Sequence, residues 1–414
     1  MRIGIDARCL EEEKISGVGE YALEIIQNLL EGDSPRSGLP RLSPHWSLDE
    51  AGGEAGGAGK ENQFIIFSNA HKAPNNSFSF LQKYPNAELK RFRFPNKLLN
   101  LSLWYFNWPK LDKLIGGVDV FFAPNISFLA VSKNCQLVIT FHDLSFERYP
   151  DFFSLKTRLW HHWFVNPRKI ARRADQIIAV SNSTKRDLAE IYGTNPKRIS
   201  VIRHGISENY KIIGRNDPKL LETQKNYGLP YKFILFLGNL EPRKNISALI
   251  EAYLRFRENN PKMEKYKLVL CGNVGQSLRD IIKEAEKSKF GRDIAPIGYI
   301  DREDKPYIYN LASLFVYPSH FEGFGLPLLE AMACGTPVIA SNNSSIPEVV
   351  GNAAVAVNPD RPGELVEAMK SILQDKKLRD KLREKGLAQA QKFSWKKCAK
   401  ETLKILANSE RINS

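Results

Sequence analysis

The chain has 414 residues, of which 43% are hydrophobic and 26% are charged, a composition that excludes disordered and fibrous proteins. A single compact domain rarely exceeds roughly 250–300 residues, so two domains are expected. The formal net charge of +14 divides into +6 for residues 1–206 and +8 for 207–414, which argues against one nucleic-acid-binding arm.

Neither a membrane span nor a disulfide framework is indicated. The longest apolar runs have strand length, well below the roughly 18 residues of a membrane-spanning helix. The start MRIGIDARCL lacks the basic and then apolar pattern of a secretory signal. Five cysteines, an odd number without a CxxC pair, fit a reducing compartment and give no zinc site: Cys9, Cys135, Cys271, Cys334 and Cys398. We therefore expect a soluble, cytoplasmic protein.

Twelve short runs of β-branched and aromatic residues recur along the chain, separated by segments with helical spacing. Six lie in the first half, at 2–6, 64–68, 118–124, 136–141, 176–181 and 199–205. Six lie in the second half, at 233–238, 267–272, 295–300, 314–319, 337–341 and 353–357. These runs are apolar on both faces, which is typical of parallel strands covered by helices. The pattern predicts an α/β fold of two doubly wound, Rossmann-like domains.

The strand pattern is interrupted by the polar segment HGISENYKIIGRNDPK, which predicts a domain boundary near 206–220. We expect domains at 1–206 and 207–390, and a helix within 391–414 that packs back across the boundary. Residues 33–60 contain six Gly and three Pro, so they are predicted to form a mobile surface insertion.

Two basic residues follow the strand at 233–238, in the segment FLGNLEPRKN. Asn245 is a good helix cap, so Arg243 and Lys244 would lie at a helix N-terminus. Backbone amides and the helix dipole favour an anion there. A phosphate group is the favoured ligand; a solvated basic turn is the alternative.

The segment SHFEGFGLPLLEAMACGTPVIAS is the most informative in the chain. Pro327 suits the first turn of a helix, and Gly335 suits its left-handed end. Glu322 then projects from a glycine-rich loop and Glu330 from the helix. Two such carboxylates accept hydrogen bonds from the vicinal hydroxyls of a sugar or ribose.

Two further junctions lie in the first half. The glycines of SGVGEYA, Gly17 and Gly19, match a dinucleotide fingerprint only formally, because they come about ten residues after the strand. This segment has two interpretations: a loop that lets a diphosphate approach the start of a helix, or an ordinary loop. His142 ends the strand ITFHD and is a candidate for catalysis, whereas His161, His162 and His204 receive no role. Residues 158–175 are interpreted as an amphipathic helix.

These motifs together resemble the retaining glycosyltransferases of family four, which have the GT-B fold of two domains facing across a cleft. The resemblance covers nearly the whole chain and includes AVSNSTKRDL, SSIPEVVGNAA and the glutamate pair. It implies transfer of a hexose, with mannose favoured, from a GDP- or UDP-sugar to a glycan or lipid-linked acceptor. The N-terminal domain would hold the acceptor and the C-terminal domain the nucleotide sugar. No cofactor is implied.

The resemblance also implies roles for single residues. Glu330 would bind the donor ribose, Glu322 the sugar hydroxyls, and Arg243 with Lys244 the diphosphate. The backbone of Gly323, Phe324, Gly325 and Leu326 would line the sugar, and that of Tyr299 and Ile300 would meet the base. Gly17 and Gly19 would approach the phosphates, and His142 would contact the sugar. The assigned catalytic residues are thus His142, Lys244 and Glu322.

The sequence departs from the family at Asn239, where many relatives carry Arg, so Arg243 is expected to compensate. No DxD stands at a strand end, which favours metal-independent transfer with charge stabilised by Arg243 and Lys244. No nucleophile is evident, so same-face attack is favoured. The alternatives are a sugar-nucleotide epimerase of the same fold and a basic nucleic-acid-binding protein. Residues 90–114 mix basic and aromatic side chains; they suit either an interfacial helix at the inner membrane face or a packed helix.

Overall fold

Two parallel β-sheets, each between layers of helices, form the protein. The computed structural model describes residues 1–12, 16–33, 62–70, 76–273 and 276–408. All twelve predicted strands are present, and one further strand joins the first sheet. The predicted class of two doubly wound α/β units is therefore confirmed.

The N-terminal sheet has seven strands, and all of their pairings are parallel. They are β1 Arg2–Asp6, β2 Gln63–Asn69, β3 Ala87–Phe92, β4 Val120–Ala123, β5 Gln136–Phe141, β6 Gln176–Ala179 and β7 Ile199–Val201. Their order is β3-β2-β1-β4-β5-β6-β7. The direction of winding reverses between β1 and β4, and ligands of such sheets bind beside this point at the carboxyl ends of the strands.

The C-terminal sheet repeats the arrangement with six parallel strands. They are β8 Phe233–Leu237, β9 Lys267–Cys271, β10 Ile294–Gly298, β11 Leu314–Tyr317, β12 Val338–Ser341 and β13 Val355–Val357. Their order is β10-β9-β8-β11-β12-β13, so the winding reverses between β8 and β11. Strands β8 and β11 are buried along their whole length, because helices cover both faces.

Sixteen α-helices lie in the described ranges. Those of the first half are α1 Gly17–Asp33, α2 Asn96–Tyr105, α3 Leu111–Leu114, α4 Ser145–Arg148, α5 Leu155–Leu159, α6 Pro167–Arg173 and α7 Asn182–Tyr192. The others are α8 Pro218–Asn226, α9 Ile246–Asn259, α10 Gln276–Glu286, α11 Lys305–Leu311, α12 Leu326–Ala333, α13 Ile346–Val350, α14 Pro362–Gln374, α15 Lys376–Ala390 and α16 Trp395–Ala407. None of these helices has both the length and the apolar character needed to cross a bilayer.

Helix α16 packs on α1, against the N-terminal sheet. Trp395, Cys398 and Leu406 join the hydrophobic core of that sheet. Gly205 permits the close entry of α16, because a Cβ there would lie 2.0 Å from the backbone nitrogen of Trp395. The core of the N-terminal unit therefore includes residues from the far end of the sequence.

Three local features differ from expectation. Strand β3 was not predicted, because AELKRF is polar and forms the half-buried edge of its sheet. Asn245 does not cap α9; its φ is +57° and its side chain donates to the carbonyl oxygen of Pro359 at 2.7 Å. The helix expected over 158–175 is divided into α5, a π-helical turn Trp160–Val165 and α6. The predicted insertion at 33–60 lies, apart from Asp33, outside the described residues.

Candidate active site

A cavity of about 330 Å³ lies between the two sheets. Its wall collects residues that follow β5 in the first unit and β8, β9, β10 and β11 in the second. Most of the residues expected to act together line it: Gly17, His142, Arg243, Lys244, Tyr299, Ile300, Glu322, Gly323, Phe324, Gly325, Leu326 and Glu330. The exception is Gly19, which is buried within the first turn of α1 and is not part of the wall.

Glu322 is held between two cations that come from the turn after β8. Lys244 donates from Nζ to Oε1 of Glu322 and, at 2.6 Å, to the hydroxyl of Tyr317. Arg243 donates from Nη1 to Oε2 of Glu322 at 3.3 Å and from Nε to Glu241 at 2.9 Å. Lys244 and Glu322 are both buried. The predicted phosphate cations and the predicted sugar carboxylate thus form one buried ion-pair cluster.

Burial and the neighbouring opposite charges shift the pKa values of this cluster in opposite directions. Burial raises the pKa of Glu322, but Lys244 and Arg243 outweigh it and hold that pKa below its usual value. Burial and the adjacent Arg243 lower the pKa of Lys244, against the opposing effect of Glu322. Glu322 is therefore ionised, and a further anion beside Lys244 would favour the charged ammonium.

Glu330 projects from α12 toward the same cavity. It accepts a hydrogen bond from the hydroxyl of Tyr309 at 2.7 Å. Burial raises the pKa of Glu330 above its ordinary value; Lys305 works against this rise and Glu20 adds to it. Since a carboxylate has about four acceptor positions, Glu330 can also accept hydrogen bonds from hydroxyls in the cavity.

The loop between Glu322 and α12 touches the other unit directly. A Cβ on Gly323 would lie 1.8 Å from the carbonyl oxygen of His142, so only glycine fits this approach. Gly325 has a φ of +106°, which also favours glycine. Ser345 holds the loop by donating to the carbonyl oxygens of Glu322 at 2.8 Å and Phe324 at 3.1 Å. Gly325 and Leu326 bring the helix start to the cavity, where first-turn amides lack intrahelical acceptors.

His142 faces the cavity from the carboxyl end of β5. Its Nε2 lies 2.9 Å from the carbonyl oxygen of Pro124. Because a carbonyl oxygen only accepts, Nε2 carries the hydrogen, and Nδ1 of the neutral ring is an acceptor. Burial lowers the pKa of His142 below its ordinary value. The neutral ring therefore predominates near neutral pH.

His204, which received no role from the sequence, lies at the centre of an aromatic cluster behind His142. Its ring stacks on Tyr21 with centroids 4.7 Å apart and lies 5.5 Å from the ring of Trp395. Phe324 contacts it from the C-terminal unit at 4.6 Å. Neither ring nitrogen of His204 has a hydrogen-bond partner among the described residues. Burial and His142 lower the pKa of His204 well below its usual value.

Ion pairs join the two units at the rim of the cavity. Lys305 donates to Glu20 of α1 at 2.6 Å, and Arg302 donates to Glu24 at 2.5 Å. Glu20 and Lys305 also line the cavity wall. Nothing in the sequence marked these pairs, because their members are about 280 residues apart. Tyr317 was also missed, although as the last residue of β11 it satisfies the strand-end criterion that selected His142.

No metal centre is evident in the parts of the chain that the structure describes. They contain no group of three or more His, Cys, Asp or Glu able to hold a metal ion. Positive charge at the cavity wall is supplied by side chains, among them Arg243, Lys244 and Lys305.

The fold, two parallel α/β units that face each other across a cavity, is that of the GT-B class. The model of the family "Glycosyltransferase Family 4" matches residues 62–210, and that of "Glycosyl transferases group 1" matches residues 220–389. The chain belongs to the glycosyltransferase family whose two halves these models describe, and it is an enzyme. The resemblance to the glycosyltransferases of family four that was noted in the sequence is confirmed.

Individual relatives agree with this assignment. The chain is 34% identical over 269 residues to the O-antigen chain mannosyltransferase B of Escherichia coli. The aligned region covers 65% of this chain and 69% of the relative. It is also 34% identical over 238 residues to the serotype-specific mannosyltransferase WbdA of E. coli, covering 57% of this chain and 29% of that longer protein.

A solved structure confirms the GT-B fold. The crystal structure of Anabaena Alr3699/HepE in complex with UDP-glucose superimposes with a TM-score of 0.68 at 18% identity. The match covers 98% of this chain and 99% of that chain. At this identity the likeness concerns the fold.

Proposed function

We propose that the protein transfers a hexose, with mannose favoured, from a nucleoside-diphosphate sugar to a glycan or lipid-linked acceptor. The observation that carries this proposal is the cluster of Arg243, Lys244 and Glu322 in a cavity shared with Glu330. The preference for mannose follows the two E. coli relatives, which are named mannosyltransferases. The UDP-glucose in the Anabaena complex supports a nucleotide-sugar donor.

Arg243 and Lys244 would hold the diphosphate and stabilise it as it leaves. Cleavage of a sugar–phosphate bond builds negative charge on the departing nucleotide, and charge-assisted hydrogen bonds contribute about 1.5–3 kcal/mol each. The amides at the start of α12 would add to this stabilisation. Since these groups supply the positive charge, we propose that transfer proceeds without a metal ion.

The carboxylates and the loop would select the rest of the donor. Glu322 would accept hydrogen bonds from the sugar hydroxyls once the diphosphate draws the two cations toward itself. Glu330 would accept from the ribose, and the backbone at Tyr299 and Ile300 would meet the base. Gly323, Phe324, Gly325 and Leu326 would line the sugar. The neutral Nδ1 of His142 would accept a hydrogen bond from a sugar hydroxyl near the reacting carbon.

The first turn of α1 would complete the phosphate site. Gly17 lies in the cavity wall, whereas Gly19 is inside the helix. We therefore propose that Gly17, rather than Gly19, approaches the phosphates. The residues before the boundary near 206–220 would carry the acceptor, and those after it the donor.

We also propose that the anomeric configuration is retained. In this assignment the carboxylate of Glu322 accepts hydrogen bonds from the sugar hydroxyls, which occupy its oxygen lone pairs and weaken it as a nucleophile. Attack by the acceptor from the face of the departing diphosphate would then give retention without a covalent intermediate.

Donor choice is tested in two stages. A thermal-shift series with GDP, UDP and ADP identifies the base, since a ligand at about 100 times its Kd adds about 2.7 kcal/mol to the free energy of unfolding. Turnover of GDP-mannose and other nucleotide sugars is then followed by release of the diphosphate, with and without EDTA. We expect GDP to stabilise most, EDTA to have no effect, and NMR to show an α-linked product from an α-linked donor. Absence of turnover with every nucleotide sugar would overturn the proposal, and conversion of a sugar nucleotide to its epimer would replace it.

A further inference from the structure

Helix α2 is apolar on two opposite sides. Leu99 and Leu103 are buried against the N-terminal unit. Leu98, Leu101 and Tyr105, spaced three and four residues apart, point outward and are 63%, 48% and 62% exposed. A helix that covers a globular domain normally presents a polar face to solvent. The outer face of α2 therefore has the character of a surface that becomes covered.

Large apolar side chains are also exposed beyond the end of α2 and on a second segment of the chain. Phe106 and Trp108 follow α2 and are 75% and 67% exposed. Large apolar side chains are also exposed on α5 and the π-helical turn, at Leu155, Leu159, Trp160 and Phe164. We call the exposed apolar side chains of residues 98–108, together with these four, the apolar surface.

Ring contacts unite the two segments of the apolar surface. The ring of Phe128 lies 6.1 Å from that of Trp104 in α2 and 6.3 Å from that of Trp160. Lys169 of α6 places its ammonium 4.4 Å from the ring centroid of Trp104. The exposed side chains therefore belong to one continuous region of the N-terminal unit.

Most charged residues around the apolar surface are basic, and the exposed carboxylate of Asp151, just before α5, pairs with one of them, Arg158, at 3.6 Å. Residues 152–174 contain six Lys and Arg and no Asp or Glu. Residues 93–111 contain three Lys and Arg and no Asp or Glu. Two of these cations, Lys97 and Lys156, are exposed beside the apolar side chains. The region thus combines aromatic and aliphatic groups with a net positive charge.

We propose that the apolar surface docks on a lipid bilayer that contains anionic lipids. Aromatic and leucine side chains partition into the boundary between headgroups and acyl chains, and each nearby Lys or Arg adds attraction to anionic headgroups. A second copy of this chain would bring the same basic residues face to face, and like charges repel. The bilayer is the occupant that satisfies both the apolar character and the charge.

The position of the apolar surface gives the docking a direction. Helix α2 follows the carboxyl end of β3, and α5 follows that of β5 after α4. The carboxyl edge of this sheet is also where His142 faces the cavity. Docking would hold the open side of the cavity near the lipid, which suits a lipid-linked acceptor; this last point alone rests on the proposed function.

Vesicle flotation without any substrate tests the docking separately from the transferase reaction. We expect the protein to float with vesicles of phosphatidylcholine and phosphatidylglycerol, to remain at the bottom with phosphatidylcholine alone, and to bind less in high salt. The double variant Phe106→Ser/Trp108→Ser should bind about tenfold or more weakly. The matched control is Leu221→Ser/Tyr231→Ser, at residues 69% and 85% exposed elsewhere on the chain, and should float like the wild type.

Each other outcome decides against the proposal. Wild-type protein that stays at the bottom with anionic vesicles would overturn it, as would equal flotation of the two double variants. Sedimentation that shows a wild-type dimer converted to monomer by Phe106→Ser/Trp108→Ser would assign the surface to a second copy instead. If that variant fails to fold, Lys97→Glu/Lys156→Glu tests the same surface by charge and should also lose binding.

Discussion

The carboxylate of Glu348 accepts hydrogen bonds from both the backbone and the side-chain amide of Asn182, each at 2.9 Å, across the boundary between the two sheets. It also accepts from the backbone nitrogen of Ser183 at 2.9 Å. A residue of α13 in the C-terminal unit thus caps helix α7 in the N-terminal unit, where a negative charge complements the helix dipole. The relative position of the two units is linked to the stability of this helix end.

We expect Glu348→Ala to lower the free energy of unfolding by about 1–3 kcal/mol, because amides at a helix start lose a charged acceptor. Urea denaturation measures the change. Glu348→Gln retains one oxygen acceptor and should lose less, and Glu367→Ala, at an exposed position, should be neutral. Equal midpoints for Glu348→Ala and the wild type would show that the cap contributes nothing.

Lys244→Ala should reduce kcat by about 10²–10³-fold, the effect of removing one donor that stabilises developing charge. The fold should persist, since Arg243 still pairs with Glu322. Steady-state kinetics with the donor identified by thermal shift provide the measurement. Lys262→Ala, at an exposed position, is the control, and unchanged kcat in Lys244→Ala would remove Lys244 from the proposed mechanism.

Glu330→Gln should weaken binding of the nucleoside diphosphate about 10–100-fold, as expected for the loss of charged hydrogen bonds, with a smaller effect on kcat. Calorimetric titration gives the Kd directly. Tyr309→Phe, which removes only the support of Glu330, should have a weaker effect in the same direction. A Kd unchanged by Glu330→Gln would mean that the ribose is bound elsewhere.

His204 predicts a pH dependence of stability. Its pKa in the folded protein lies well below 6.5, so the unfolded chain binds the proton first. The stability is fully present above pH about 6.5 and decreases as the pH falls below that value, by up to about 1.4 kcal/mol per pH unit for one proton. His204→Phe keeps the stacking but cannot titrate, so its unfolding free energy should fall less steeply between pH 6.5 and 5. Parallel curves for the two proteins would contradict this.

Gly323→Ala should separate the two units at the cavity, because its methyl group would collide with the carbonyl oxygen of His142. A displacement of about 1 Å at a reacting centre can cost about 10²-fold in rate, and we expect kcat/KM to fall by that order. Gly363→Ala is the control, since a Cβ there meets no atom of the described part of the chain within 4 Å. Full activity of Gly323→Ala would show that the units can move apart without loss.

Most strands were predictable because a strand that is buried on both faces needs apolar residues at nearly every position. Runs such as FILFL are apolar on both faces, which is typical of a parallel strand covered by helices on both sides. Strand β3 was missed because a strand at the edge of a sheet does not need apolar residues on both faces, and AELKRF is as polar as a surface segment. The helix after Glu322 was predicted through Pro327 and Gly335, and Gly335 does have a φ of +72°.

Convergence of the candidate site was predictable only where residues end strands. Lys244, Glu322 and His142 each follow a strand, and the shared topology of open sheets brings such positions together. Lys305 and Tyr309 lie on α11 and reach Glu20 and Glu330 through the docking of helices. That docking depends on packing between distant segments, for which a single sequence carries no local signal.

The return of α16 to the N-terminal sheet has a consequence for synthesis on the ribosome. Trp395, Cys398, Ala399 and Leu406 belong to a core whose other buried members come from the first half of the chain. The N-terminal unit therefore lacks part of its interior until residues 395–407 have emerged, so it cannot mature as an independent first half. Nascent chains stopped before Trp395 would expose the groove meant for α16 and should depend on chaperones.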